Sequence, residues 1–158
     1  MILLAQNKQE PWRERVLYRA RGKVVALIGS NKHPSRVLVP VDLSPTTLLV
    51  LMFVFRALLD KPGFEFTFLH VPKGLEVPVL KRWEDIKKTI GAPEEIRLDQ
   101  IPFTGQVAAD ILQYADTGDY GTILMGKRGL SGIKRRLLGS VSSGVLKGLK
   151  NQSLVLID

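Results

Sequence analysis

The sequence lacks cysteine altogether, which excludes disulfide bonds and thiolate metal ligands. Histidine is scarce, and His33 and His70 stand far apart, without the spacing of a metal site. Long apolar runs are missing too, because residues 48–59 are interrupted by Arg56 and fall short of the roughly 20 residues that cross a bilayer. The first five residues lack the basic flank and the length of a signal peptide. We therefore expect a cytoplasmic protein without a membrane span.

The charge of the chain is unbalanced, since 23 basic residues against 15 acidic ones give a net charge of +8. One basic cluster lies between Lys8 and Arg36, and a second is the run Lys134-Arg135-Arg136. Neither cluster alternates with aromatic residues, as grooves for single-stranded nucleic acid do. A nucleic-acid role would rest on net charge alone and is not expected. The second cluster lies inside a glycine-rich segment, where it could meet a polyphosphate.

Short apolar runs alternate with helical patterns from Arg36 onward. Five strands are predicted, at residues 36–41, 64–71, 94–101, 120–125 and 153–157. Four helices are predicted between them, at residues 45–60, 79–90, 104–117 and 139–150. Such alternation is typical of a parallel sheet covered by helices on both faces. Ligands of these folds bind beyond the carboxyl ends of the strands, where Asp42 and Gly126 both fall.

A glycine-rich segment follows the fourth predicted strand: Gly126-Lys127-Arg128-Gly129, nine further residues, and then Gly139-Ser140. Glycines let backbone N–H groups approach an anion, and the helix that follows adds unpaired N–H groups and a favourable dipole. The Ser140 hydroxyl could cap this helix or meet a phosphate oxygen. The glycine spacing is neither that of a P-loop nor the dinucleotide fingerprint. A phosphate site is therefore one interpretation, and an ordinary surface loop is the other.

The first 35 residues match the end of the alternating pattern rather than its beginning. A shift of 129 positions places Val16-Leu17 on Val145-Leu146 and residues 25–28 on residues 154–157. We predict that residues 1–35 form a helix-strand extension, the half-repeat remnant of a preceding copy, and that residues 36–158 form the nucleotide-binding domain. The alternative is a chance likeness between two short helix-turn-strand units.

Residues 36–158 resemble the universal stress protein family, and in particular its ATP-binding branch. The first strand ends in Val39-Pro40-Val41-Asp42, with Ser44 two residues later, and the second ends in Leu69-His70-Val71. The third and most specific feature is Met125-Gly126-x2-Gly129-x9-Gly139-Ser140. Gly121 departs from the family, which commonly has an acidic residue before its fourth strand. That departure is expected to affect only the turn.

The resemblance implies an α/β fold with an open five-stranded parallel sheet in the order 3-2-1-4-5 and helices on both faces. It also implies an adenine nucleotide bound between strands 1 and 4, with Asp42 and Val71 near the ribose and the adenine. The candidate cofactor-binding residues are Pro40, Asp42, Val71, Met125, Gly126, Arg128, Gly129, Gly139, Ser140, Val141 and Ser142. Without the resemblance, Asp42 would more commonly be a turn or cap residue, and Met125 and Val71 simple core.

The function that the resemblance implies is that of a stress-response or regulatory protein, which binds ATP, ADP or AMP and signals through its shape or its partners. We predict no catalytic residue, because the sequence shows no nucleophile triad and no carboxylate pair with acid-base spacing. ATP hydrolysis is at most weak, with Mg²⁺ held by the phosphates and with Lys127, Arg128 or Lys134 neutralising charge. The alternative is an interaction or dimerisation module with a vestigial pocket, regulating a partner such as a transporter.

The last predicted strand is apolar and is expected to lie at a sheet edge, where it would risk aggregation if left bare. We predict that residues 23–28 pair antiparallel with residues 153–157. The linker of residues 29–35 leaves two arrangements open, pairing within one chain or a homodimer that exchanges its N-terminal segments.

Overall fold

The computed structural model describes residues 1–5, 22–72, 78–128 and 138–158. The strands are β1 (Ile2–Ala5), β2 (Val25–Ile28), β3 (Arg36–Pro40), β4 (Glu65–His70), β5 (Leu98–Gln100), β6 (Thr122–Gly126) and β7 (Ser153–Ile157). The helices are α1 (Pro45–Phe53), α2 (Val79–Ile90), α3 (Val107–Thr117) and α4 (Ser140–Gly148). A π-helical turn at Val54–Leu58 continues α1. In these ranges no helix has the length and apolarity to cross a membrane.

The strands form one sheet of seven, in the order β1-β2-β7-β6-β3-β4-β5. The run from β5 to β7 is the predicted 3-2-1-4-5 order, and each neighbouring pair within it is parallel. The predicted open α/β fold is therefore confirmed. The order reverses between β3 and β6, so the carboxyl ends of these two strands open a crevice at the sheet's edge.

The sheet separates two hydrophobic cores. On one face, α3 and α4 supply Ile111, Ala115 and Val145 to a cluster with β2, β6 and β7. On the other face, α1 and α2 supply residues such as Leu51 and Trp83. Both faces are thus covered by helices, as a parallel sheet with apolar strands requires.

The third predicted strand is shorter than expected, because only Leu98–Gln100 of residues 94–101 is paired in the sheet. The cause is a buried lysine on α2. The Lys87 Nζ atom donates to the carbonyl oxygens of Glu94 and Ile96, at 3.0 and 3.2 Å. These carbonyls face a helix, so the chain reaches the sheet only after Ile96.

The N-terminal strand β2 pairs antiparallel with β7, with Val25 opposite Leu156, Ala26 opposite Val155 and Leu27 opposite Leu154. This confirms the predicted pairing, and the structure makes it within one chain. Strand β1 was not predicted: the four residues from Ile2 to Ala5 are too few to show a period, yet they pair parallel with β2. The helix predicted between them lies outside the described residues.

Gly121 is required by a close approach of two loops. A Cβ atom at this position would overlap the carbonyl oxygen of His33. The Gly121 N–H also donates to Arg36 O, and Gly121 O accepts from the Ser153 N–H, at 3.1 and 2.8 Å. The absence of the acidic residue common in the family therefore follows from packing before β6, beyond the turn itself.

Candidate functional site

A cavity of about 260 Å³ lies at the carboxyl ends of β3, β4 and β6, between α1, α3 and α4. Its walls are Pro40, Val41, Asp42, Thr46, Thr47, Val50, Leu69, His70, Val71, Val107, Ile111, Met125, Gly126, Arg128, Gly139, Ser140, Val141 and Ser142. This is the crevice that the reversal of strand order creates. Ten of the eleven candidate site residues line it, and the eleventh, Gly129, lies outside the described residues.

The β3 side of the cavity is a turn organised by Asp42. Its Oδ1 atom accepts from the Ser44 N–H at 3.1 Å and from the Thr47 hydroxyl at 2.8 Å. Ser44 in turn caps α1 by accepting from the Thr47 N–H at 3.4 Å. Asp42 therefore holds the turn, as a turn residue does, and it also lines the cavity. Leu43, between Asp42 and Ser44, is buried and has a φ of 56°. This is a left-handed backbone conformation that a bulky side chain rarely adopts.

The β4 side is fixed by a buried histidine. The Nδ1 atom of His70 lies 2.8 Å from Val41 O, and the residue is 3% exposed. A carbonyl oxygen only accepts, so Nδ1 carries the hydrogen of this bond. The bond joins the chain just beyond β3 to the end of β4. His70 therefore sets the spacing of the two strand ends that carry Asp42 and Val71.

The β6 side brings a strand end against a helix start. Ser142 donates its hydroxyl hydrogen to Gly126 O at 2.8 Å, and the Gly139 N–H donates to Lys127 O at 2.7 Å. The first N–H groups of an α-helix have no acceptor within the helix, and those of α4 belong to Ser140, Val141 and Ser142. All three residues line the cavity. A Cβ at Gly126 would lie 2.5 Å from the Thr46 methyl group, so only glycine permits this approach.

The two cations after β6 take different places. Lys127 does not line the cavity, contrary to its expected role in neutralising phosphate; its side chain is 6% exposed and its Nζ lies 3.8 Å from Asp158 Oδ2. Arg128 lines the cavity, is half exposed, and donates through Nη2 to Asp158 Oδ1. Lys134, the third candidate cation, lies outside the described residues.

Burial and the neighbouring charges shift the pKa values of Lys127 and Asp158. Burial lowers the pKa of the Lys127 ammonium, against the attraction of Asp158. Burial alone would raise the pKa of the Asp158 carboxyl, but hydrogen bonds from Arg128 and the Gly22 N–H, with the charge of Lys127, leave that pKa below its usual range. Asp158 is therefore ionised at neutral pH and holds both cations.

Several lining residues were missed by sequence reasoning. Thr46 and Thr47 follow the proline that begins α1, and their nearness to Asp42 was a usable signal. Val107 and Ile111 lie four residues apart on α3, a spacing of apolar residues that by itself indicates core packing. Within the described ranges, no group of three His, Cys, Asp or Glu side chains is arranged to hold a metal ion.

The sequence profile of the universal stress protein family matches residues 34–156 of this chain. The chain belongs to the universal stress protein family. No curated protein sequence gives a significant match. The profile covers β3 to β6 and β7 up to Leu156, and with them every described wall residue of the cavity.

Solved universal stress proteins share the fold at low sequence identity. One from Archaeoglobus fulgidus DSM 4304 is 22% identical with a TM-score of 0.68, covering 99% of this chain and 60% of its own. One from Lactobacillus plantarum is 18% identical with a TM-score of 0.55, covering 81% of this chain and 100% of its own. A universal stress protein solved in complex with cAMP is 20% identical with a TM-score of 0.53, covering 80% of this chain and 98% of its own. The chain thus spans less than two thirds of the first of these proteins.

Proposed function

We propose that this universal stress protein binds an adenine nucleotide, ATP or its products ADP and AMP, in the cavity between β3 and β6. One observation carries the proposal: residues from two distant motifs, around Asp42 and around Gly126 and Ser140, line the same cavity. The residue types also fit the ligand, with a carboxylate on one side, a helix N-terminus on the other and an apolar floor. A relative in the same family holds cAMP, which is an adenine nucleotide.

The adenosine part would lie against β3, β4 and α3. Val71, Ile111 and Met125 are buried and apolar, and they offer the flat walls that an aromatic base needs. Ribose hydroxyls donate to a carboxylate, and Asp42 supplies one. Because Ser44 and Thr47 already hold Asp42 Oδ1, the carboxylate is oriented before the ligand arrives.

The phosphates would lie at the start of α4. The N–H groups of Ser140 to Ser142 and the positive end of the helix dipole favour an anion there, and Arg128 adds a cation. The cavity volume of about 260 Å³ is near the lower end of ligand pockets, roughly 300 Å³. We infer that base and ribose fill the cavity, with the phosphates at its mouth towards residues 129–137.

The output of binding is proposed to be a change of shape or of partner rather than a chemical product. Among the described residues of the cavity wall Asp42 is the single carboxylate, and it already holds a turn. General acid-base chemistry needs a group free to exchange a proton with the substrate. Mg²⁺ would reach this site on the phosphates, and hydrolysis would be a slow side reaction in a stress-response regulator.

The test places one carboxylate at the start of α4, in two positions. An acidic residue in the first turn of a helix interacts favourably with its dipole, so both Ser140→Asp and Ser143→Asp should fold. Ser140 lines the cavity, whereas Ser143 lies in the same turn but not in the cavity wall. ATP at a hundredfold excess over Kd should stabilise the parent and S143D by about 2.7 kcal/mol and leave S140D unaffected. Thermal unfolding with and without ATP measures this.

If ATP stabilises S140D and S143D equally, the proposed position of the phosphates at the start of α4 is wrong. An absence of any ATP effect on the parent protein would reject nucleotide binding and leave the interaction module with a vestigial pocket. In either case both variants must unfold at or above the parent's temperature without ATP, which the same melting curves report.

The role of Asp42 is tested by Asp42→Asn, whose amide oxygen can still accept from Ser44 and Thr47. The loss of charge should lower the affinity for both adenosine and ATP by about tenfold, which corresponds to one charge-assisted hydrogen bond. Calorimetric titration with each ligand measures the two affinities. A loss confined to ATP would instead place Asp42 at the phosphate end of the site.

A further inference from the structure

Asp158 connects the cavity to the N-terminal strands through three contacts. Its Oδ1 accepts from Arg128 of the cavity wall. Its Oδ2 accepts from the Gly22 N–H, in the turn before β2, at 2.9 Å, and faces Lys127 Nζ at 3.8 Å. The Asp158 side chain is 5% exposed, whereas that of Arg128 is 51% exposed. One buried carboxylate thus serves two cations, of which only one is buried.

Arg128 is the partner that can leave this cluster at low cost. If its guanidinium turns away, Asp158 and Lys127 remain as an ion pair, and neither buried charge is left alone. Arg128 itself stays hydrated, because half of its side chain is exposed. An anion in the cavity offers Arg128 the same kind of partner that Asp158 does, an oxygen with negative charge.

From this geometry we infer that Asp158 regulates the cavity, as a built-in competitor for Arg128 that a ligand's phosphate must displace. The inference rests on the proposed nucleotide site and adds its regulation. Asp158 is a positioning residue, since it lies outside the cavity wall and acts through Arg128. Because Asp158 also holds the turn at Gly22, whatever moves the N-terminal strands would change the hold on Arg128 and with it the affinity for anions.

The test removes the competitor without stranding a buried charge. The double variant Lys127→Met, Asp158→Asn deletes both members of the buried pair and keeps the parent's net charge. Inorganic tripolyphosphate is the probe, because it reports on the anion site without adenine. We expect its affinity to rise by about threefold to tenfold, the range of a partly exposed ion pair or charged hydrogen bond.

The same comparison in an Arg128→Gln background shows whether Asp158 acts through Arg128. There the double substitution should leave tripolyphosphate affinity unchanged, and adenosine affinity should be unchanged in both backgrounds. An equal gain in both backgrounds, or no gain in either, overturns the inference. If the double variant does not fold, D158N alone in both backgrounds makes the same comparison, since a general charge effect would not depend on Arg128.

The outcomes separate this inference from the proposed function. ATP binding without any Arg128-dependent gain would reject the regulation and keep the nucleotide site. The gain for tripolyphosphate without adenosine or ATP binding would support the competition and reject the adenine nucleotide. Binding of neither probe would overturn both.

Discussion

The strand pairs β1–β2 and β6–β7 have the same parallel geometry, and the described cavity lies at the end of the second pair. Ala5 lies opposite Ile28 at the end of one pair, and Gly126 opposite Ile157 at the end of the other. Ala5 and Ile28 are 23 positions apart in the sequence, whereas Gly126 and Ile157 are 31 positions apart. The N-terminal connection is thus eight positions shorter, and its sequence has no counterpart of the loop from Gly126 to Gly139. Under the proposed function, the anion site depends on the glycine connection and not on strand geometry alone.

The antiparallel contact between β2 and β7 relates the strand pair β1–β2 to the strand pair β6–β7 by local symmetry. Ala26 lies opposite Val155, and the shift of 129 positions makes these same two residues equivalent. A local twofold axis therefore passes between them. This supports our proposal that residues 1–35 are a half-repeat, and that β2 occupies in one chain the edge at which two domains would otherwise meet. A homodimer through this edge would require β2 to leave it.

The largest effect should come from shortening the equivalent leucines of the two pairs. Leu27 and Leu156 are fully buried in the same core cluster, so L27A and L156A should each cost about 2–5 kcal/mol of unfolding free energy. Urea denaturation measures both. Ile28→Ala, at a neighbouring position that is 48% exposed, is the control and should cost far less. If L27A behaves like I28A, the N-terminal pair is an appendage rather than part of the fold.

A smaller effect is expected at the joint between β2 and the turn before β7. A Cβ at Gly29 would overlap the carbonyl oxygen of Asn151, and backbone there cannot move aside easily. Gly29→Ala should therefore cost about 2 kcal/mol, as overpacking does. Lys32→Ala, at an exposed position of the same linker, should be neutral in the same denaturation experiment. A neutral G29A would show that the backbone at Asn151 and Gln152 can move aside.

The smallest effect should be the contribution of Asp158 to the pH dependence of stability. This residue contacts Gly22, before β2, and Lys127 and Arg128, after β6. The pKa of this carboxyl is lower in the folded chain than in the unfolded one. Its stabilisation is therefore present above the unfolded pKa, about 3.9, and is lost as pH falls through the folded value. Between pH 5 and pH 2, the parent's urea midpoint should fall further than that of Lys127→Met, Asp158→Asn. Parallel curves would mean that Asp158 does not stabilise the fold.

Local patterns in the sequence were enough for most of the fold. The α2 helix at Val79–Ile90 and the β7 strand at Ser153–Ile157 have the predicted bounds, because each is a long periodic or apolar run with a clear stop. The β5 strand was overestimated, since the buried Lys87 that draws its first residues away is a tertiary contact. Strand β1 was missed because four apolar residues carry no period.

For the candidate site too, local motifs predicted one part, and tertiary contacts determine the rest. Its walls were predictable where a strand end and a helix start carry a motif, as at Asp42 and Ser140. The partners of those residues were not, since they depend on which distant segments meet. Asp158 contacts residues 22, 127 and 128, and nothing in the sequence around it indicates this. The predicted roles of Gly129 and Lys134 lie outside the described residues and stay predictions.

The most direct test of the central claim uses the three methionines of the chain. Met125 lines the cavity, whereas Met1 and Met52 do not. An adenine ring against Met125 would shift its methyl resonance through the ring current. In methyl-labelled protein, ATP and adenosine should both shift the Met125 signal and leave those of Met1 and Met52 in place. A Met125 signal unmoved by saturating ATP, or moved no more than that of Met52, would contradict nucleotide binding in this cavity.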